Sequence, residues 1–483
     1  VFMALKVGNR HQMSLIPKSI EEYVSDVDPV RVYDAFVDSL DLKELGIIVD
    51  INKVGTPQYD PRAMLKLLVY AYSYGVRSSR MIERACHHNI SFMWITGGLK
   101  PDHKTISKFR KENIDAITKS LKSCVRVCID LNLIEGNILF VDGTKIRANA
   151  GIGSHKDKVT LEKRLKHIDE FIEKLLKEIE TLDKLEESQS SYVEMSKELA
   201  ESNKLKEKVE LALKNIEESN TTSINTTDKD AIKVKGRQGI HAGMNHQVVT
   251  DGKYGLIVSS DVVKEANDTR QLAKQINKAN EEFDKPCQIA VGDAGYSTAE
   301  ECEKLVQAGI EVIVPSQKQA SHKKEEDKVE KNFDKSNFKY DKENDVYICP
   351  EGKVLKKTGR DLKNKKIDYR NYVDCLSCKY YGLCTKSKRG RSIKRRESEE
   401  TAEIVGTNFE TERAKAIYDR RKEVAELPFG YIKRFLDGGY FLLRGLENVN
   451  AEASIFCTCF NLRRMMTLLG GVRPMIEKLK LIG

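Results

Sequence analysis

The chain reads as an α/β protein: a mixed-sheet core with an all-α N-terminal domain, an inserted helical hairpin and a basic, Cys-rich insertion. Three observations predict it. A short apolar run ending in a carboxylate, Ile138-Leu139-Phe140-Val141-Asp142, has the character of a buried strand whose Asp sits at its mouth. The arrangement returns as Gln288-Ile289-Ala290-Val291-Gly292-Asp293, so one sheet can carry both aspartates. Between them runs a long charged stretch with leucines and isoleucines alternately four and three apart, the spacing of a helical seam.

Residues 1 to about 130 are predicted helical. Asp60-Pro61 caps a helix through Tyr72 that Gly75 ends, Ser78-Ser79 opens a second, and Pro101-Asp102-His103 begins a third. Three short helices with polar turns suit a helix-turn-helix-like module. Lys104, Lys108, Arg110 and Lys111 stud the third; that basic face reads equally as a DNA contact or as an ordinary solvated surface. Trp94, inside an apolar run, is expected in the core rather than as a base-stacking platform.

The apolar run to Asp142 is expected to end as a strand there, followed by Gly143. A carboxylate is costly to bury alone, so one at a strand mouth faces a cleft and has a partner or a metal. The periodic segment then gives a seam of Leu161, Leu165, Ile168, Ile172, Leu175, Ile179 and Leu182, continued more weakly by Met195, Leu199, Leu205, Val209, Ala212 and Ile216. It is read as an antiparallel hairpin with arms of about 40 Å at ~1.5 Å per residue, serving dimerisation, DNA contact or spacing. A polar linker (219–230) leads to the basic, glycine-rich Lys233–Gly243, able to pass close to a phosphate backbone. Asn245–Thr250 and Leu256–Ser260 form a hairpin; His241 and His246 are assigned turn or surface roles, and Asp268 a helix N-cap. A fifth strand follows at Ile310–Pro315.

Residues 316 to about 405 change character: Lys and Glu crowd Gln317–Lys335, and a dense run of Lys and Arg from Lys353 to Arg396 surrounds Cys375, Cys378 and Cys384, with Cys349 just before it. A Cys-x-x-Cys pair with two further thiols suffices for a tetrahedral structural zinc, although Gly352 stands where a second cysteine of the first knuckle would be; four free reduced thiols are the other reading. The last block carries Glu426 and Lys433 seven residues apart, on one face of a helix that Pro428 obliges to start near Glu426. A helix N-terminus favours an ionised carboxylate. Asn448–Leu469 reads as a closing helix with Cys457 and Cys459 in the core.

Val141-Asp142-Gly143-Thr144, Val291-Gly292-Asp293-Ala294-Gly295-Tyr296 and the block from Tyr418 through Arg421 and Glu426 to Lys433 resemble the three catalytic blocks of bacterial insertion-sequence transposases of the DDE type, the third resembling the Tyr-Arg-Glu-Lys signature of one large group. The resemblance implies a ribonuclease-H-like core (131–155, 228–315, 406–470), with an N-terminal DNA-binding domain (1–130), the hairpin (156–227) and the Cys-rich insertion (316–405). It implies that Asp142, Asp293 and Glu426 hold two Mg²⁺ or Mn²⁺ ions, Asp142 bridging both, and that Tyr418, Arg421 and Lys433 touch phosphates. Four residues separate Arg421 from Glu426 where some relatives have three, so Glu423 is a rival third carboxylate. The implied activity is cutting element ends and joining them to target double-stranded DNA, with a homodimer handling two ends and the protein working at the bacterial nucleoid. A non-catalytic DNA-binding repressor from a decayed element and a metal-dependent nuclease without joining are the alternatives.

At 483 residues the chain has room for two or three cores. The net charge of +9 is modest for that length, so charge alone does not establish nucleic-acid binding. The absence of a long apolar run, the lack of a signal-peptide core in Val1–Arg10 and the scatter of the eleven cysteines lead to the expectation of a cytoplasmic, membrane-free protein.

Overall fold

The computed structural model describes residues 18–47, 58–185, 189–219, 221–236, 239–320, 333–362 and 365–482. Val1–Arg10, the tip of the helical hairpin (186–188), Arg237 and much of the charged run after Gln317 lie outside the described residues.

The central sheet is built from β1 (Ile138–Arg147), β4 (Ile232–Gly236), β5 (Gly239–Asp251), β6 (Ile257–Val263), β7 (Ile289–Val291) and β8 (Glu311–Ile313), in the order β4-β5-β1-β7-β8 with β6 also paired to β5. It is mixed: β1 runs antiparallel to β5 and parallel to β7, and β7 parallel to β8. The expected hairpin at 245–260 is the β5–β6 pair.

One expectation about β1 fails. The strand does not stop at Asp142 but continues to Arg147, because β5 supplies antiparallel partners through Arg147↔Gly243. What ends near Asp142 is its parallel neighbour: β1 and β7 pair only over Ile138↔Ile289 to Phe140↔Val291. Continuing that register two residues beyond the last pair brings Asp142 level with Asp293, where β7 has turned away into a 3₁₀ turn, Ala294–Tyr296.

Among the described residues eight helices precede β1, and two of the caps read from sequence are present: Asp60 accepts from Arg62 N at 2.9 Å and Asp102 from Thr105 N at 2.7 Å. These helices do not form a separate core. Buried Tyr33, Leu65 and Leu68 belong to one continuous apolar cluster with Leu139, Val141 and Val248 of the sheet and with Ile455, Phe456 and Cys459 of the closing helix, Leu446–Leu468. That helix is apolar around most of its circumference because it lies between the sheet and the N-terminal helices. Trp94 is partly buried against this core, its Nε1 donating to Glu21 and Arg31 lying over its ring.

Helices Lys158–Leu185 and Gln189–Ser219 leave the sheet through the short pair β2 (His155–Asp157) and β3 (Ser223–Asn225). Lys158 pairs with Glu217 at 2.8 Å and Lys206 with Asp169 at 2.7 Å, so the arms are antiparallel. Leu161 and Ile168 meet Val209, Ala212 and Ile216 along the buried seam near its base.

The Cys-rich segment forms a second antiparallel sheet of β9 (Lys339–Asp341), β10 (Val346–Ile348), β11 (Val354–Asp361), β12 (Lys366–Arg370) and β13 (Ser392–Arg396), over a small core of Phe338, Tyr347, Leu355, Tyr369 and Ile393. Not all of its basic run is solvated: Arg395 is buried over the Tyr340 ring and pairs with Glu403 at 2.8 Å. Among the described residues no helix is long and apolar enough to cross a membrane.

Candidate active site

Side chains alternate across a strand, which sorts β1 into two faces. Phe140 packs in the cluster that includes Val291, Val424 and Ala425, whereas Leu139 and Val141 face the large core. Asp142 and Thr144 therefore share the face of Phe140, toward the segment bearing Glu426, and Gly143 and Lys145 share the other.

On the first face three carboxylates from distant parts of the chain meet. Asp142 is largely buried, with Oδ1 accepting from Gly143 N at 3.0 Å. Asp293 caps the 3₁₀ turn, accepting from Gly295 N at 2.7 Å. Glu426 is the first residue of the helix Glu426–Phe435, with Pro428 accommodated in its first turn as the sequence requires. Arg421 lies among them, Nη1 3.5 Å from Asp142 Oδ1 and Nη2 3.1 Å from Glu426 Oε1, with Tyr418 beside its guanidinium. Burial pushes the Asp142 carboxyl up to about 6; Arg421 opposes the shift, while Asp293 and Glu426 add to it. Glu423 is exposed on a short preceding helix, Arg421–Val424. Lys433, two turns beyond Glu426, donates to Thr144 Oγ1.

Among the described residues no three histidine, cysteine, aspartate or glutamate side chains are grouped to hold a metal ion as they stand. At the acidic site Arg421 supplies positive charge between Asp142 and Glu426, and its buried Nη1 makes no hydrogen bond. The donor set itself, hard oxygens carrying mutually repelling charge, suits a divalent cation such as Mg²⁺.

The opposite face of β1 holds a polar network that sequence reading missed. Asp268 is not a helix N-cap; the following helix begins at Leu272 and is preceded by Gln271. Its carboxylate instead accepts from Lys145 Nζ (3.1 Å), Asn245 Nδ2 (2.8 Å) and Gln247 Nε2 (2.7 Å), and Gln247 Oε1 accepts from Tyr296 OH (2.5 Å). Gln247 lies against the bare backbone of Gly143: a Cβ there would stand 2.2 Å from Gln247 Nε2 and 3.0 Å from Asp268 Oδ1. The network thus links the backbone beside Asp142 to the turn after Asp293. Its signal in the sequence is Asn245-x-Gln247, two amide side chains at strand spacing and so on one face of the strand. His246, between them, faces the other way and is fully buried, so the surface role expected of it is wrong; its ring bonds Ser260 Oγ at 2.9 Å. His241 is half-buried against Gly236 at the β4–β5 turn.

Beside Thr144 and Lys433 opens a groove of about 740 Å³ whose walls carry Lys145, Arg147, Lys235 and His241, with Phe429 and Gly430 opposite. On the N-terminal helix His103–Glu112, Lys104, Lys108 and Lys111 are exposed, whereas Arg110 turns inward and donates to Tyr72 OH and Arg77 O, both at 3.2 Å.

Asp142, Asp293 and Glu426, with Arg421 and Lys433 beside them, stand next to a groove whose walls carry Arg147 and Lys235. Two stretches of the chain match known families. Residues 18–112 match a family described as a transposase domain (DUF772), and residues 348–466, which contain Tyr418, Arg421, Glu426 and Lys433, match a transposase DDE domain. Together the two matches support an insertion-sequence transposase of the DDE type, a family whose chemistry on DNA depends generally on divalent metal. No curated protein and no solved structure matches the chain.

Proposed function

We propose that the chain is a DNA transposase that cuts the ends of an insertion sequence and joins them to target DNA at Asp142, Asp293 and Glu426, on a ribonuclease-H-like core. The observation that carries the reading is the meeting of these three carboxylates with Arg421, Tyr418 and Lys433, beside a groove whose walls carry Arg147 and Lys235.

Asp142, Asp293 and Glu426 are the residues that would hold two Mg²⁺ or Mn²⁺ ions, which when bound activate the attacking oxygen and stabilise the departing one. Strand cleavage is attack by water on a phosphodiester; joining is attack by the freed 3′-hydroxyl on a target phosphodiester, and no bond to the protein forms in either. Lys433, anchored at Thr144, and the groove cations hold the flanking phosphates, which positions the duplex without reading its sequence. Arg421 has to leave Glu426 as the carboxylates engage, and its planar fork then suits a phosphate. The exposed Lys104, Lys108 and Lys111 are assigned to the element's ends, and a homodimer on double-stranded DNA brings two ends together.

The test is cleavage of a labelled duplex bearing the native element's terminal inverted repeat, by purified protein with Mg²⁺ or Mn²⁺, beside Asp293→Ala. Metal-dependent nicking at the repeat boundary is expected from the wild type and none from the variant, while both bind the duplex. Equal nicking by Asp293→Ala refutes the assignment.

A further inference from the structure

We propose that Cys349, Cys375, Cys378 and Cys384 form a four-thiolate zinc site that closes the five-stranded basic module. The site is separate from the carboxylate centre and independent of the reading of that centre.

The eleven cysteines fall into two sets. Seven (Cys86, Cys124, Cys128, Cys287, Cys302, Cys457 and Cys459) are fully buried in apolar surroundings, as small hydrophobes should be. The remaining four are half-exposed, all lie within the module, and all line one cavity of about 30 Å³ at the end of its sheet. They reach it from separate turns: Cys349 follows β10, and the other three lie between β12 and β13. Four thiols brought to one small cavity by 36 residues of chain are poorly explained by core packing alone: Cys349 and Cys384 rest against the module's buried core of Phe338, Tyr347, Leu355, Tyr369 and Ile393, whereas Cys375 and Cys378 line the same cavity from outside that cluster.

The backbone around the sulfurs is shaped for thiolates. Lys353 N donates to Cys349 Sγ at 3.3 Å and Arg391 N to Cys375 Sγ at 3.5 Å, so amide hydrogens already point at two of the four. Gly352 closes the Cys349 turn with φ +71°, its N donating to Cys349 O at 2.8 Å. That conformation is disfavoured for a side-chain-bearing residue, which accounts for glycine where a two-cysteine knuckle would carry its second thiol; Cys384 completes the set. Cys375 and Cys378 are joined across a turn in which Cys378 N meets Cys375 O at 3.4 Å. The thiols have not converged on a point, and protonated thiols have no cause to. A cation that displaces their protons supplies one, and four sulfurs at ~2.3 Å in a tetrahedron is the arrangement zinc selects. Among the described residues the module's apolar core has five buried side chains, and a metal is one of the few devices that stabilises so small a sheet.

The experiment is metal analysis of the full-length protein purified without chelator, with zinc release followed during titration of its thiols by an organomercurial. About one zinc per chain is expected, released as four thiols react. Cys378→Ser and Cys384→Ser should each fall to less than about a fifth of the wild-type zinc content, and Cys86→Ser should keep it. Because a variant can lose zinc by unfolding, the wild type is also refolded with Co²⁺: a thiolate-to-cobalt charge-transfer band with tetrahedral visible bands is expected. A folded wild type that carries no zinc, gives no such spectrum and exposes four freely reactive thiols overturns the proposal. So does a Cys378→Ser protein that retains its zinc.

Discussion

Arg77 offers the sharpest test of how the N-terminal helices are joined to the sheet. It lies between the helices Pro61–Ser73 and Ser79–His88, yet its guanidinium reaches the far end of the chain: Nη1 is 3.2 Å from Glu452 Oε1 and 2.8 Å from Tyr440 O, and Nη2 is 2.9 Å from Asp437 Oδ2. It also lies over the Tyr440 ring at 4.3 Å. The Arg77 and Glu452 side chains are 1% and 0% exposed, so Arg77→Met leaves a carboxylate in the core without its cation. Removing one partner of such a pair costs about 3–5 kcal/mol. Glu452 keeps the amides of Leu442 (2.9 Å) and Leu443 (3.0 Å), which places the expected loss near the lower end, about 3 kcal/mol. Burial already raises the Glu452 carboxyl above its ordinary 4.5, with the two amides and Arg77 opposing, and losing Arg77 raises it further. A carboxyl raised in the folded state costs nothing when protonated in both states, and its penalty grows as pH rises from 4.5 through the folded value. The deficit of Arg77→Met should therefore be small near pH 5 and full at pH 8. Urea unfolding followed by the fluorescence of Trp94, the chain's one tryptophan, measures it. Arg77→Met/Glu452→Gln should recover most of the loss, because the amide oxygen still accepts from Leu442 and Leu443. A loss under about 1 kcal/mol, or one equal at both pH values, would refute the charge argument and leave only packing.

Gly143→Ala should cut nicking at least tenfold with DNA binding intact, because its methyl must displace Gln247 and Asp268; Asp268→Asn, which keeps the shape, should be milder than Asp268→Ala, and single-turnover cleavage beside filter binding separates the two effects. Arg147→Ala and Lys235→Ala should each weaken duplex binding and lower the slope of log affinity against log salt by about 1, irrespective of sequence; an unchanged slope removes the groove from the DNA path. Burial lowers the His246 pKa to about 3, so the unfolded chain takes up a proton from about pH 6.5 downward that the folded chain refuses. Stability should fall by about 2 kcal/mol between pH 6.5 and 5 on this account, and urea midpoints of His246→Phe should show a correspondingly shallower pH dependence.

Local signals carried much of what the sequence could show. Asp60 and Asp102 cap their helices because capping involves only neighbours two or three residues away. The seam of Leu161, Ile168, Val209 and Ile216 was readable because a period reports one buried face whatever covers it. Glu426 at a helix start followed from Pro428, whose ring dictates where a helix can begin. The failures share one cause. Whether β1 ends at Asp142, whether His246 is outside, and whether Asp268 caps a helix depend on what lies across the sheet, and β5 is about a hundred residues away from β1.

The sequence by itself determined where most helices and strands run, because each is written in nearest neighbours or in a short period. Only the tertiary structure decided that Arg421 stands between Asp142 and Glu426, that Asp268 braces Gly143 from behind, and that the N-terminal helices share the sheet's core. Those are relations between side chains up to hundreds of residues apart. A pattern says which residues must be buried or must bear charge, but the partner that satisfies each burial or charge is chosen only when the chain closes on itself.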